Sequence, residues 1–180
     1  MTERGGAGRA ILGGEPRIVP VDGETALEEW RHVHNVIVPP AALSLDEVRE
    51  RVGRNRLCNA YVGGVLVGCS TVRPPRNEDG VATVIARVLP GHRGRGYGTA
   101  LYADGLAHAR ALGARTVETC VLAVNEDGLR FAYARGFAET DRYVLDGAAD
   151  VWVDLRLSDR TGQDETGTTI PSILREPGVC

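Results

Sequence analysis

The residues best suited to chemistry lie between positions 90 and 99, where Arg93-Gly94-Arg95-Gly96-Tyr97-Gly98 gives the pattern R-x-x-G-x-G and Thr99 follows. Glycine has no Cβ, so the backbone can take positive φ there and turn several N–H groups toward one ligand. The helix-forming sequence after the loop opens with N–H groups outside its own ladder, and its dipole adds partial positive charge. Arg93 and Arg95 add full charges. Together they suit the binding of phosphate oxygens. A glycine-rich surface turn with solvated arginines is the plainer alternative. The loop's place between an apolar strand and a helix favours the phosphate reading.

Two other phosphate-binding patterns are excluded by spacing. A P-loop needs a lysine after its glycines, and the chain contains no lysine. A dinucleotide fingerprint needs G-x-G-x-x-G, but the sixth position is Thr99 counted from Gly94 and Leu101 counted from Gly96. Four cysteines, at 58, 69, 120 and 180, form no C-x-x-C pair and have no histidines at ligand spacing. No metal site and no disulfide framework is expected. Three of them fall in strand-like runs, as small buried hydrophobes do.

The elements that must position the loop can be read from periodicity and punctuation. Arg17–Val21 predicts a first strand. Ala26, Trp30, Val33 and Ile37 predict one face of a helix that Pro39-Pro40 ends. Ser44 and Glu47 form a capping box for a short second helix. Arg56–Val62 and Val65–Val72, joined by Gly63-Gly64, predict a hairpin. A polar loop through Pro74-Pro75 then leads to a strand over Val81–Leu89. The helix after the glycine loop runs to about Leu112. Thr116–Leu122 predicts a strand, Asn125–Ala134 a helix, and Phe137–Val144 with Val151–Leu157 a closing hairpin. Residues 1–16 read as a flexible segment, 17–157 as one domain and 158–180 as a mobile Ser/Thr/Gly/Asp-rich tail.

Composition narrows the class. A chain of 180 residues, 43% apolar and 25% charged, suits one soluble domain. Such a domain buries roughly 70% of its unfolded surface. The net charge of −3 argues against general nucleic-acid binding. No run has membrane-spanning length and no apolar leader is present, so a cytoplasmic location is the expectation.

The loop, the V-x-P strand end before it and the order β-α-α-β-β-β-α-β-α-β-β resemble the GNAT superfamily of N-acyltransferases. The likeness runs from about Leu57 to Leu157. It implies an α/β (α+β) fold with a mixed central sheet of six to seven strands flanked by about four helices. It also implies that the loop, Arg93 to Thr99, holds the diphosphate of acetyl-CoA, and that the preceding strand pairs with the pantetheine arm. A backbone N–H around Val88, five residues before Arg93, is implied as the oxyanion donor. Asn125 is implied to contact pantetheine or the helix start; an N-cap is the structural alternative.

The implied general acid departs from type. Many members carry Tyr seven residues after the Asn, but here that slot holds Ala132 and Tyr133 stands one residue later, about 100° round the helix. Tyr133 is the catalytic candidate, against a plain surface role; a thiolate can also leave without a dedicated acid. No base stands out among Glu118, Asp79, His32 and His34. The implied activity is transfer of an acetyl group to a primary amine of a small molecule or peptide, by direct attack in a ternary complex. Alternatives are an acyl-CoA-binding module without turnover, and a nucleic-acid contact through His92, Arg93 and Arg95. Glu24, Glu28, Glu29 and Asp46 could attract a cationic amine or be solvated helix faces. The last hairpin and tail offer homodimer surfaces.

Overall fold

Strand β1 (Arg17–Pro20), helices α1 (Glu24–Ile37) and α2 (Leu45–Val52), and strands β2 (Arg56–Val62), β3 (Val65–Arg76) and β4 (Val81–Val88) form the first half of the chain. Helix α3 (Tyr97–Ala111), β5 (Thr116–Leu122), α4 (Glu126–Tyr133), β6 (Phe137–Val144) and β7 (Val151–Leu157) complete it. This is a computed structural model, and it describes residues 14–76 and 78–157. The segments expected to be flexible, 1–16 and 158–180, lie outside the described residues apart from 14–16.

The strands form one sheet in the order β1-β2-β3-β4-β5-β7-β6. Every pairing is antiparallel except β4 with β5. Among the described residues, seven strands and four α-helices match the expected mixed sheet. Helices α1 and α2 cover one face, where Trp30, Val33, Val48, Leu57 and Cys69 are buried together. Helices α3 and α4 cover the other, over Val72, Val84, Ala109, Val117 and Leu155.

Local chemistry explains the boundaries. Gly63 and Gly64, at φ 57° and 80°, both take the left-handed region that a two-residue hairpin turn requires. Ser44 and Glu47 make the predicted capping box at α2. Helix α3 stops at Gly113, whose N–H reaches Arg110 O while Ala114 N–H reaches Ala109 O, a Schellman arrangement.

Two local expectations are corrected. The chain does not leave the sheet at Pro74: β3 continues to Arg76, with a register shift between Arg73 and Arg76. Proline cannot donate to the ladder, so the irregularity absorbs the pair while the strand continues. The buried face of α1 is Leu27, Trp30, Val33 and His34, with Ala26 and Ile37 only half-buried.

Candidate functional site

Parallel pairing between β4 and β5 covers only Val81 with Thr116, Ala82 with Val117 and Thr83 with Glu118. Beyond Thr83 the strands part. The gap becomes a cavity of about 530 Å³, walled by Val84–Val88 on one side and Thr119–Leu122 on the other. Its far end opens onto the loop after β4. Ile37 and Val38, from the end of α1, and Trp152 of β7 close it on the other side.

Main-chain geometry builds the loop end. After a 3-10 turn at Pro90–His92, Gly94 and Gly96 take φ 73° and 84°, which only glycine adopts without strain. Gly96 is the N-cap of α3 and brings no side chain to its first turn. The first helical bond is Ala100 N–H to Gly96 O at 3.1 Å, which leaves the Gly98 and Thr99 N–H groups outside the ladder. No acidic side chain lies in that first turn to compete for them.

Arg93 fastens the loop to its surroundings. Its Nε donates to Val88 O at 3.2 Å, and its Nη1 donates to Asp127 Oδ2, also at 3.2 Å. Hydrogen bonds from Arg130 and then Arg93 hold the exposed Asp127 carboxyl below the usual carboxylate range. Asn125 caps α4 by accepting from Gly128 N–H at 3.2 Å. Gly98 lets α3 approach α4, because a Cβ there would stand 3.2 Å from Phe131 Cε2.

The structure brings Val88, Arg93, Gly94, Gly96, Gly98, Thr99 and Asn125 to the cavity wall. Three other candidates stand away from it. Arg95 is exposed and does not line the cavity. The Tyr97 side chain is buried against Ala60, Val62, Val67 and Leu101, so only its main chain belongs to the loop. Tyr133 is 43% exposed, and its hydroxyl donates to Glu139. Ala132 in the preceding slot faces the cavity instead.

Most of the other carboxylates that the sequence singled out are engaged by arginine or tyrosine. Glu24 and Asp46 both pair with Arg49 on the surface, and Glu29 accepts from Tyr61. Glu118 pairs with Arg156 at 2.7 Å. His34 is fully buried, stacked on Trp30 with centroids 5.2 Å apart. Its Nε2 lies 3.0 Å from Ala41 O, an acceptor, so the ring proton is assigned to Nε2. Burial first, and then the Arg87 charge, push its pKa down to about 3. That rules it out as a base near neutral pH. Burial likewise pushes the Cys69 thiol up to about 12.

Sequence reasoning missed Arg87, Phe131 and Arg135, which also line the cavity. Arg135 stacks over Phe131 at 3.4 Å from the ring centroid and donates to Thr99. The signal for Arg87 was available, since a lone charge interrupts the apolar run VATVIARV. Among the described residues, no group of three or more His, Cys, Asp or Glu could hold a metal ion. No helix among them is long and apolar enough to cross a membrane.

The site's features suit coenzyme A: an uncapped helix start, two left-handed glycines with open space at their Cβ positions, and a buried His92 Nδ1 with no partner beside the loop. Residues 24–137 match the model of the acetyltransferase (GNAT) family. No curated protein matches the chain in sequence. Among solved structures, a Bacillus subtilis acetyltransferase in complex with CoA is similar at 20% identity and TM-score 0.61, covering 79% of this chain and 98% of that one. The spermidine/spermine N-acetyltransferase of Vibrio cholerae is similar at 14% identity and TM-score 0.61, covering 81% and 93%. The ribosomal-protein-alanine N-acetyltransferase of Brucella melitensis is similar at 20% identity and TM-score 0.60, covering 78% and 98%.

Proposed function

The chain belongs to the GNAT acetyltransferase family, and from that premise we propose that it transfers the acetyl group of acetyl-CoA to a primary amine by direct attack in a ternary complex. The observation that carries the reading is the parting of β4 from β5 after Thr83, directed onto the glycine loop at the start of α3. A bound acetyl-CoA supplies an activated thioester, so that a C–N bond forms as the C–S bond breaks and the amine's proton passes to the departing thiolate.

The chain's residues position and stabilise. Gly94 to Thr99 present main-chain N–H groups to the diphosphate, and Arg93 holds that loop against α4. The edge of β4 beyond Thr83 has no strand beside it and offers its main chain to an extended arm. The Val88 N–H is the donor we assign to charge developing on the acetyl oxygen. Tyr133 donates to Glu139 away from the cavity, so proton movement is assigned to water. Catalysis then rests on positioning, which alone can supply about 7–11 kcal/mol. The free thiols of Cys58 and Cys69 suit a cytoplasmic setting.

A second reading has one observation in its favour. Ala132 occupies the cavity-facing slot and Tyr133 does not, as in a module that binds acyl-CoA without turnover. Calorimetry with acetyl-CoA, run beside a thiol-release assay over a panel of amines, separates the two. Tight binding with amine-dependent thiol release supports transfer. Binding with no release across the panel selects the module, and no binding removes both. The names of the neighbours span spermidine/spermine and the alanine of a ribosomal protein. The acceptor has therefore to be read from this chain's own cavity.

A further inference from the structure

The wall of the cavity under α1 carries positive charge that the chain itself does not neutralise. In the β3–β4 register, Cys69 stands opposite Arg87 and Arg73 opposite Thr83. Alternation along the strands turns Cys69, Thr71, Arg73 and Arg87 to the α1/α2 face. Arg73 and Arg87 are buried, at 9% and 6% exposure, and Arg87 also lines the cavity. Arg87 Nη1 donates to Thr71 Oγ1 at 3.2 Å, and its guanidinium lies 5.8 Å from the centre of the Trp30 ring.

No carboxylate among the described residues forms an ion pair with either arginine. The groups around Arg87 are neutral: Thr71, Trp30, the Cys69 thiol and His34. The charge of Arg51 in α2 also lies within electrostatic reach of both arginines. The Arg51 pKa is lowered by burial first, and then by Arg73 and Arg87. A buried guanidinium without a counter-charge is costly, and buried charges are ordinarily paired, so an anion brought by a ligand would relieve that cost.

We propose that Arg87, backed by Arg73, binds an anionic group on the acceptor, so that the preferred substrate is an amine carrying a compact carboxylate, as an amino acid does. The proposal rests on the acetyl-transfer reading and names its acceptor class. The diphosphate end of the donor is provided for separately, by the loop at residues 93–99. The acceptor carboxylate meets a fork of planar N–H donors that suits it, while the same charges repel a diamine.

The test compares amines of one chain length: 4-aminobutyrate, n-butylamine and 1,4-diaminobutane. Alongside them, phenylalanine is compared with phenylalaninamide. For the wild type, kcat/KM is expected to be at least tenfold higher for each carboxylate than for its neutral partner, and lowest for the diamine. Arg87→Gln is expected to abolish that preference through the acceptor KM, with the KM for acetyl-CoA unchanged. Equal or better turnover of the neutral amine or the diamine by the wild type overturns the proposal. An equal loss on every acceptor in Arg87→Gln overturns it too, since that marks a packing role.

A binding readout separates this proposal from the reading beneath it. In the presence of CoA, butyrate is expected to raise the melting temperature of the wild type but not of Arg87→Gln. If no amine is acetylated yet butyrate stabilises only the wild type, the anion site stands and transfer falls. If amines are acetylated without any such stabilisation or preference, transfer stands and the anion site falls. Folding of the variant is measured directly: removing an uncompensated buried charge is expected to leave the melting temperature of the ligand-free protein unchanged or raised. A collapse of the fold assigns Arg87 a structural role and overturns the proposal.

Discussion

At the loop end of the cavity, positive charge comes from main-chain N–H groups and from Arg93, whose side chain is 35% exposed and already bonded to Asp127. Under α1 it comes from Arg73 and Arg87, both below a tenth exposed and without a carboxylate among the described residues. The difference lies in how water treats each end. An exposed ion pair contributes about 0–1 kcal/mol and is screened by salt. A buried charge is screened far less, so it discriminates between ligands more strongly. The loop can therefore tolerate exchange of its side-chain charges provided the backbone keeps its shape. The α1 side cannot.

The largest effect is expected from breaking the loop's shape. Gly96→Val forces a β-branched residue to φ 84°, a strain of about 1–3 kcal/mol that the loop escapes by refolding. CoA affinity should fall about a hundredfold, or ~2.7 kcal/mol, with far-UV dichroism unchanged. Calorimetry that finds wild-type affinity would break the loop half of the contrast.

Next comes the buried histidine. Unfolded His34 takes up its proton near pH 6.5, whereas the folded residue resists until about 3. The unfolded state thus binds more protons between these values, and stability falls as pH drops through that window. One such proton is worth at most about 1.4 kcal/mol per pH unit. Urea midpoints measured from pH 7 to pH 4 should show this slope in the wild type and a shallower one in His34→Gln. Identical slopes would place the titration elsewhere.

A smaller effect is expected at Arg93. Arg93→Ala should weaken CoA binding about fivefold at low ionic strength, roughly 1 kcal/mol, and the deficit should shrink in high salt. A salt-independent deficit would mean that the Val88 contact matters more than the charge. The smallest is Tyr133→Phe, for which steady-state kcat should stay within about twofold because the hydroxyl donates to Glu139. A tenfold drop would bring that hydroxyl into proton transfer.

The legible and illegible parts of the site divide along the same line. The proposed cradle of backbone needs glycines, a strand before it and a helix after it, all contiguous, so the geometry of residues 90–99 was legible from local sequence, whatever they bind. The caps at Ser44, Asn125 and Gly113 were legible for the same local reason. Arg87 left a local signal in its lone charge within an apolar run. Its place on one sheet face with Arg73 was not legible, because only the β3–β4 register turns both, four positions apart, to the same side. Periodicity also misjudged α1: it favoured apolar Ala26 and Ile37, while the face that packs inward includes the polar His34. Pro74-Pro75 looked like a strand end, and tertiary pairing carried β3 past it.

The three-residue seam between β4 and β5 has a mechanical consequence. It is anchored at one end, where Arg115 N–H and Thr116 N–H both reach Gly80 O, at 2.9 and 3.3 Å. The strand groups on either side then behave as two leaves sharing a short hinge. At about 3.3 Å per residue, Val88 lies ~16 Å along β4 from Thr83. Rotating the leaves by about 4° opens the far mouth by ~1 Å, so a slight breathing of the hinge sets how widely the chain gapes for what it clasps.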